Sequence, residues 1–324
     1  MERTLMQDKV KKPISKKRIS DLCFVAGIMI YPMILFIVFY VYVNLNSFIL
    51  AFTESDLYGN TTFVGMQNFK EFISALLEDG TEVSNALINS LKTWAINLVI
   101  CVPLYLTFSY LVFKKCFFHR GIRMIVMLPG VISGFVVGML FVAFISGTSS
   151  PMTTLFEKLG VLDSQGSGLQ LLYSNGYKYA FGTIIFYGIW VSFGTNLIVY
   201  PNAMNAIAPE IYESAQLDGV RTMWQEMRYI ILPLIYPTLT TFVVTGLAGM
   251  FTDVGYVLAF YPQGVPYGAN VINMGYYYFT KVQGGTGDFS VMSAGGLILT
   301  ALIAPITILV RFLMEKYGPT TEGY

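Results

Sequence analysis

Histidine is nearly missing from these 324 residues, and His119 is the only one. That shortage removes most zinc, haem and Ser-His-Asp chemistry. Beside Lys115 and Arg120, His119 reads as a cationic interface residue rather than a catalyst. Cysteine is scarce too: Cys23, Cys101 and Cys116 form neither a disulfide framework nor a Cys-x-x-Cys metal pair. Charge is the third shortage, at 12% of residues, where a soluble protein carries about 25%. A net charge of +1 gives nucleic acid no electrostatic footprint. No Gly-x4-Gly-Lys-Ser/Thr run occurs, so the chain alone has no loop to cradle nucleotide phosphates. The glycine-rich run 283–288 lacks the lysine and reads as a turn. No metal site and no cofactor are expected in this chain.

Apolar residues fill the space, at 55% of the chain with a mean hydropathy of +0.60. Too little polar surface remains to wet a globule of 36.2 kDa. This composition belongs to a polytopic membrane protein. A helix needs about 20 apolar residues to cross a bilayer core of about 30 Å. Six stretches without a formal charge qualify, at about 22–43, 93–113, 124–145, 179–200, 229–252 and 289–310. The fold class expected is all-α, with six transmembrane helices inside a transmembrane domain over 22–314. Basic residues sort by side. Placing the N-terminus inside puts 15 of the 20 Lys/Arg on the cytoplasmic face. The tails 1–21 and 315–324 are then both cytoplasmic, while the link after the first span is acidic and outside. The first span is too long for a signal-peptide core and has no small-x-small cleavage site after it, so it reads as an uncleaved anchor.

The cytoplasmic link 201–228 is the anomaly, being long, polar and helix-prone. Pro209 can open a helix at its first turn, with Glu210 and Glu213 near the positive end of its dipole. Ile211, Ala215 and Leu217 are read as its partly apolar face, and Gly219 ends it. A second helix from about Thr222 runs toward Pro233. Two short helices meeting at a bend against the membrane make a rigid docking knob.

Residues 209–233 resemble the EAA loop of permease subunits in bacterial ABC importers, whose pattern is Glu-Ala-Ala-x3-Gly-x9-Ile-x-Leu-Pro. The matching residues are Glu213, Ser214, Ala215, Gly219, Leu232 and Pro233, with Asp218 before the glycine as in many sugar permeases. Further patches are similar to the MalF/UgpA-like carbohydrate permeases in the same order: residues 63–69 (Phe-Val-Gly-Met-Gln-Asn-Phe), Asn89-Ser90, Leu128-Pro129, Trp190 through Asn196, and residues 251–254 (Phe-Thr-Asp-Val). The resemblance covers roughly 63–314 and departs from the pattern twice. Ser214 replaces the first alanine. Counted to Ile230, the spacing after Gly219 is one residue longer, which rotates a helix by about 100°. Either the second helix presents a different face, or the bend absorbs the extra residue.

What the resemblance implies is a permease subunit of an ATP-driven sugar or oligosaccharide importer in the bacterial plasma membrane. Its partners would be a second homologous permease, two ATPase subunits and an extracytoplasmic binding protein. Glu213, Ser214, Ala215, Asp218 and Gly219 would couple to the ATPases. The alternative class is an ion-coupled secondary transporter. Against it, the spans carry no carboxylate pair or histidine relay, and no pair of broken helices stands out. Substrate-pathway candidates are polar or aromatic residues of the later spans: Tyr187, Trp190 and Asn196, read as sharing one face of span four, with Asp253 and Tyr256 at the outer end of span five. The same residues also suit plain helix–helix packing. Gly130, Gly134 and Gly138 repeat at intervals of four, a stripe for close packing within the chain or against a second permease.

Overall fold

The computed structural model describes residues 16–55, 61–146, 150–159, 177–283 and 289–319. Most of the basic N-terminal tail, Asp56 of the acidic link, the glycines of the 284–288 run and residues 320–324 lie outside the described residues.

The first helix starts at Lys16, and its apolar part, Phe24–Ala51 (α1), is 28 residues long. None of its membrane window is buried by the rest of the chain. Its backbone is satisfied internally, as a lipid-facing helix requires. A hairpin of β1 (Thr53–Ser55) and β2 (Thr61–Phe63) follows, then α2 (Gln67–Leu77). The 63–69 patch pins this corner: buried Asn68 donates its amide to the carbonyls of Ala51 and Thr53, at 3.0 Å each.

Helix α3 (Glu82–Phe113) is 32 residues long and starts well before the apolar run at 93. Thr81 caps it by accepting the Ser84 N–H at 3.2 Å, so the polar segment 82–92 continues the span outward. Next come α4 (His119–Val131), α5 (Gly134–Ile145) and α6 (Pro151–Lys158), then α7 (Ala180–Asn205). The link 201–228 forms α8 (Pro209–Leu217). Beyond it lie α9 (Met223–Leu234), α10 (Tyr236–Gly249), α11 (Val257–Phe260), α12 (Met274–Gln283) and α13 (Phe289–Tyr317).

Among the described residues four helices are long and apolar enough to cross a membrane, or up to six when each bent pair counts as one span. The bends correct the expectation of uninterrupted spans at 124–145 and 229–252. Helices α4 and α5 meet at 98°, and α9 and α10 at 71°. In the first, Pro129 removes a donor near the end of α4, and Ile132 leaves the helix at φ −85°, ψ 152°. In the second, Pro233 and Pro237 lie on either side of Ile235, which sits at φ −92°, ψ 4° while Pro237 opens the next helix.

Helix α7 is the central post, packed against α3 and α4, while α13 packs on the end of α1, on α2 and on α10. A Cβ at Gly194 would lie 3.0 Å from the Val126 carbonyl, so glycine is what lets α7 and α4 cross this closely. Gly130 faces Gly194 from the other side, and Gly138 faces Ala259, which places the glycine stripe in contacts within this chain.

Candidate functional site

Helices α3, α7 and α10 and the α4–α5 bend enclose a cavity of about 670 Å³, well within the roughly 300–1,000 Å³ usual for ligand sites. Its wall includes Trp94, Asn97 and Tyr105 from α3, Ser192 and Asn196 from α7, and Thr245 and Gly249 from α10. Asp253, Tyr256 and Asn273 line its wall from the link beyond α10. A smaller cavity of about 260 Å³ lies against the same Tyr256 and Asp253. Asp253 is the only acidic or basic side chain in either wall. Among the described residues no three His, Cys, Asp or Glu side chains gather closely enough to hold a metal.

Of the five pathway candidates, Asn196, Asp253 and Tyr256 reach the large cavity, and Tyr187 and Trp190 do not. Tyr187 and Asn196 do not share one face of α7. Tyr187 and Asn196 are nine residues apart, which is half a turn out of phase at about 100° per residue. Tyr187 is fully buried, donates its hydroxyl to the Gly134 carbonyl at 2.7 Å and packs edge-on to Tyr256 with ring centres 4.9 Å apart. It holds the α4–α5 bend against α7. Trp190 packs on Phe141 and on Tyr187, each with ring centres 6.0 Å apart, and is 39% exposed. The α3 contribution went unread, although Ser90, Thr93 and Asn97 at spacings of three and four already mark one polar face of an apolar helix.

The rim of the cavity nearest the start of α3 is tied by amides. Asn89 donates to the Asn270 side chain at 2.7 Å and to the Ile272 carbonyl at 3.0 Å. Asn273 donates to the Asp253 carbonyl at 3.0 Å, and the Met274 N–H bonds Ser90 Oγ at 2.9 Å. Asp253 Oδ1 in turn accepts the Gly255 N–H at 2.9 Å, which orients the carboxylate.

At the other end of the bundle, α8 and α9 form the two-helix knob. Pro209 and Glu210 occupy the first turn of α8. Gly219, at φ +94°, closes it: the Val220 N–H reaches the Ala215 carbonyl at 3.0 Å and the Gly219 N–H the Gln216 carbonyl at 3.2 Å. That is a Schellman stop. Thr222 and Gln225 then form a capping box that starts α9. Inside α9, Met227–Ile231 is a π-helical turn. Such a turn holds one residue more than an α-turn, which leaves room for the extra residue before Leu232-Pro233. Glu213, Ser214, Asp218 and Gly219 are exposed and Ala215 is half-buried. Leu217 departs from the expected inner face: it is 89% exposed, and Ile211, Tyr212 and Ala215 turn inward instead. Burial, and then the negative charge of Glu226, push the Tyr212 hydroxyl up to about 12. It therefore stays a neutral donor to the Met204 carbonyl at 3.3 Å. His119 Nδ1 lies 3.1 Å from the Cys116 carbonyl.

Residues 81–321 match the family described as binding-protein-dependent transport system inner membrane component. A probable ABC transporter permease protein of Pyrococcus horikoshii is 31% identical over 234 residues, covering 70% of this chain and 75% of its own. The arabinooligosaccharides transport system permease protein of Halalkalibacterium halodurans is 26% identical over 295 residues, covering 90% and 87%. Among solved structures, a bacterial alginate ABC transporter in complex with alginate pentasaccharide-bound periplasmic protein superposes with a TM-score of 0.69. Its sequence identity is 22%, and the match covers 92% of this chain and 94% of that one.

Proposed function

The chain belongs to the binding-protein-dependent transport system inner membrane components, and from that premise we propose that it is the permease subunit of an ATP-driven oligosaccharide importer. The observation that carries this reading is the cavity wall. It combines amide and hydroxyl side chains with the aromatic faces of Trp94, Tyr105 and Tyr256, and its one carboxylate is already hydrogen-bonded. Aromatic faces take the C–H side of a sugar ring, and neutral donors and acceptors take its hydroxyls. Relatives whose names specify oligosaccharides, and a structural neighbour complexed with a sugar-loaded periplasmic protein, point the same way.

In this reading a second permease completes the pathway and an extracytoplasmic binding protein delivers the sugar. Two ATPase subunits dock on the knobs of the two permeases. ATP has different affinity for the open and closed ATPase pair, and that difference is the free energy that shifts the spans between inward- and outward-facing states. Lipid covers α1.

Uptake in proteoliposomes should require the second permease, the ATPases, the binding protein and ATP, and should persist when the proton gradient is collapsed. Uptake by this chain alone, driven by a pH gradient, would instead establish the secondary transporter. Orientation is tested separately. A cysteine at Asp79 should react with an impermeant thiol reagent added outside intact cells, and a cysteine at Lys316 should not. Labelling at 316 in sealed cells would reverse the topology.

A further inference from the structure

Lys114 closes the cytoplasmic end of α3, and its ammonium sits where three elements meet. Nζ lies 2.6 Å from Glu226 Oε1 on α9. The rings of Tyr110 and Phe113 on α3 and of Tyr212 on α8 surround it at 5.6, 5.7 and 5.4 Å. Tyr110 donates its hydroxyl to the other carboxylate oxygen, Glu226 Oε2, at 2.9 Å. Phe113 and Tyr212 also touch, with ring centres 5.6 Å apart. The Glu226 side chain is only 14% exposed and that of Lys114 37%. The pair is therefore more than a surface contact, which would be worth little.

Helix α9 is anchored by buried Met227, Ile230 and Ile231, whereas α8 has no fully buried residue and meets the clasp through the Tyr212 ring. We propose that Lys114 and Glu226 are positioning residues that join the α8–α9 knob to α3, so that movement imposed on the knob is passed to the span that lines the cavity. The proposal rests on the knob being the ATPase dock. Neither residue needs to touch the ATPase: the ammonium points into its aromatic box and the carboxylate into the clasp.

The test uses the reconstituted complete importer with Glu226→Gln, Lys114→Met and Lys114→Arg. The readouts are ATPase co-purification and sugar taken up per ATP hydrolysed. Glu226→Gln and Lys114→Met should keep the ATPases bound but lower uptake per ATP by about tenfold, within the roughly 5–150-fold range of site-to-site coupling. Lys114→Arg keeps charge and ring contacts, so it should restore most of the ratio. A wild-type ratio in both neutralised variants overturns the proposal. If either single variant fails to reach the membrane because a lone charge is left half-buried, the Lys114→Met/Glu226→Gln double variant removes both charges. A membrane-inserted but uncoupled double variant supports the clasp, and a normally coupled one overturns it. Glu213→Ala run alongside separates the two readings. If it uncouples while the Glu226 variants do not, the dock stands and the clasp alone falls.

Discussion

Gly219→Pro should abolish coupled uptake while leaving the chain in the membrane. Gly219 holds φ +94°, a value proline cannot adopt because its ring fixes φ near −65°. The substitution also removes the N–H that bonds the Gln216 carbonyl, and with it one of the two bonds of the helix stop. Proline in an incompatible position costs about 3 kcal/mol or more. Here that cost falls on two short helices outside the bilayer rather than on the span packing. The knob should lose its bend, and with it the fixed arrangement of Glu213 and Leu217 on α8 relative to Trp224 on α9. Leu217 and Trp224 are 89% and 74% exposed, an apolar surface that suits a protein partner better than water. Glu213→Ala tests the polar half of the same surface. Among the described residues its carboxylate is exposed and has no hydrogen bond or ion pair recorded within the chain. Truncating one partner of a buried charge pair costs roughly 2–5 kcal/mol. ATPase co-purification should fall with Glu213→Ala and be lost with Gly219→Pro. Gly219→Ala, where a Cβ meets no atom within 4 Å, isolates the backbone strain and should be the mildest of the three. Normal coupling in both Gly219→Pro and Glu213→Ala would remove 209–233 as the dock.

Much of this arrangement is legible in the residues themselves. Runs of uncharged apolar residues locate the helices, because the bilayer demands length and composition and little else. Pro209, Gly219 and Thr222 locate the knob, because caps and stops act within a few residues. The bent spans are less legible because proline alone does not predict a break. Pro32, Pro201 and Pro305 lie inside continuous helices, where neighbouring groups satisfy the freed carbonyls. The α9–α10 bend has two prolines four residues apart, and at the α4–α5 bend Pro129 is followed by Gly130 and the extended Ile132-Ser133 pair. The cavity is harder still. Which face of α7 turns inward depends on partners 60–100 positions away, such as Asn97 and Tyr256. Tyr187 and Trp190 carry the side chains that sugar recognition calls for, yet they stand on the face that packs against α5.

Filling the cavity gives the other large expected effect. Gly249, at the end of α10, lines the cavity, and a Cβ placed there meets no atom within 4 Å. A tryptophan at this position therefore projects into the open volume without first displacing backbone. An indole there narrows the space of about 670 Å³ between the faces of Trp94 and Tyr256, in the path a sugar would take. A steric penalty of about 3 kcal/mol corresponds to a loss of about a hundredfold, so Gly249→Trp should cut uptake by at least about that much. ATPase association should persist, because the change is remote from the knob. Stimulation of hydrolysis by sugar-loaded binding protein should fall with uptake if the sugar must enter this cavity to complete the cycle. Two controls separate blockage from damage. Gly249→Ala adds only a methyl group and should transport normally. Gly182→Trp adds the same indole to an exposed position on α7 that lines neither cavity and where a Cβ also meets nothing within 4 Å. It should transport normally as well. Wild-type uptake by an assembled Gly249→Trp importer would mean that sugar crosses elsewhere, and the cavity would then be a packing defect between helices rather than the path.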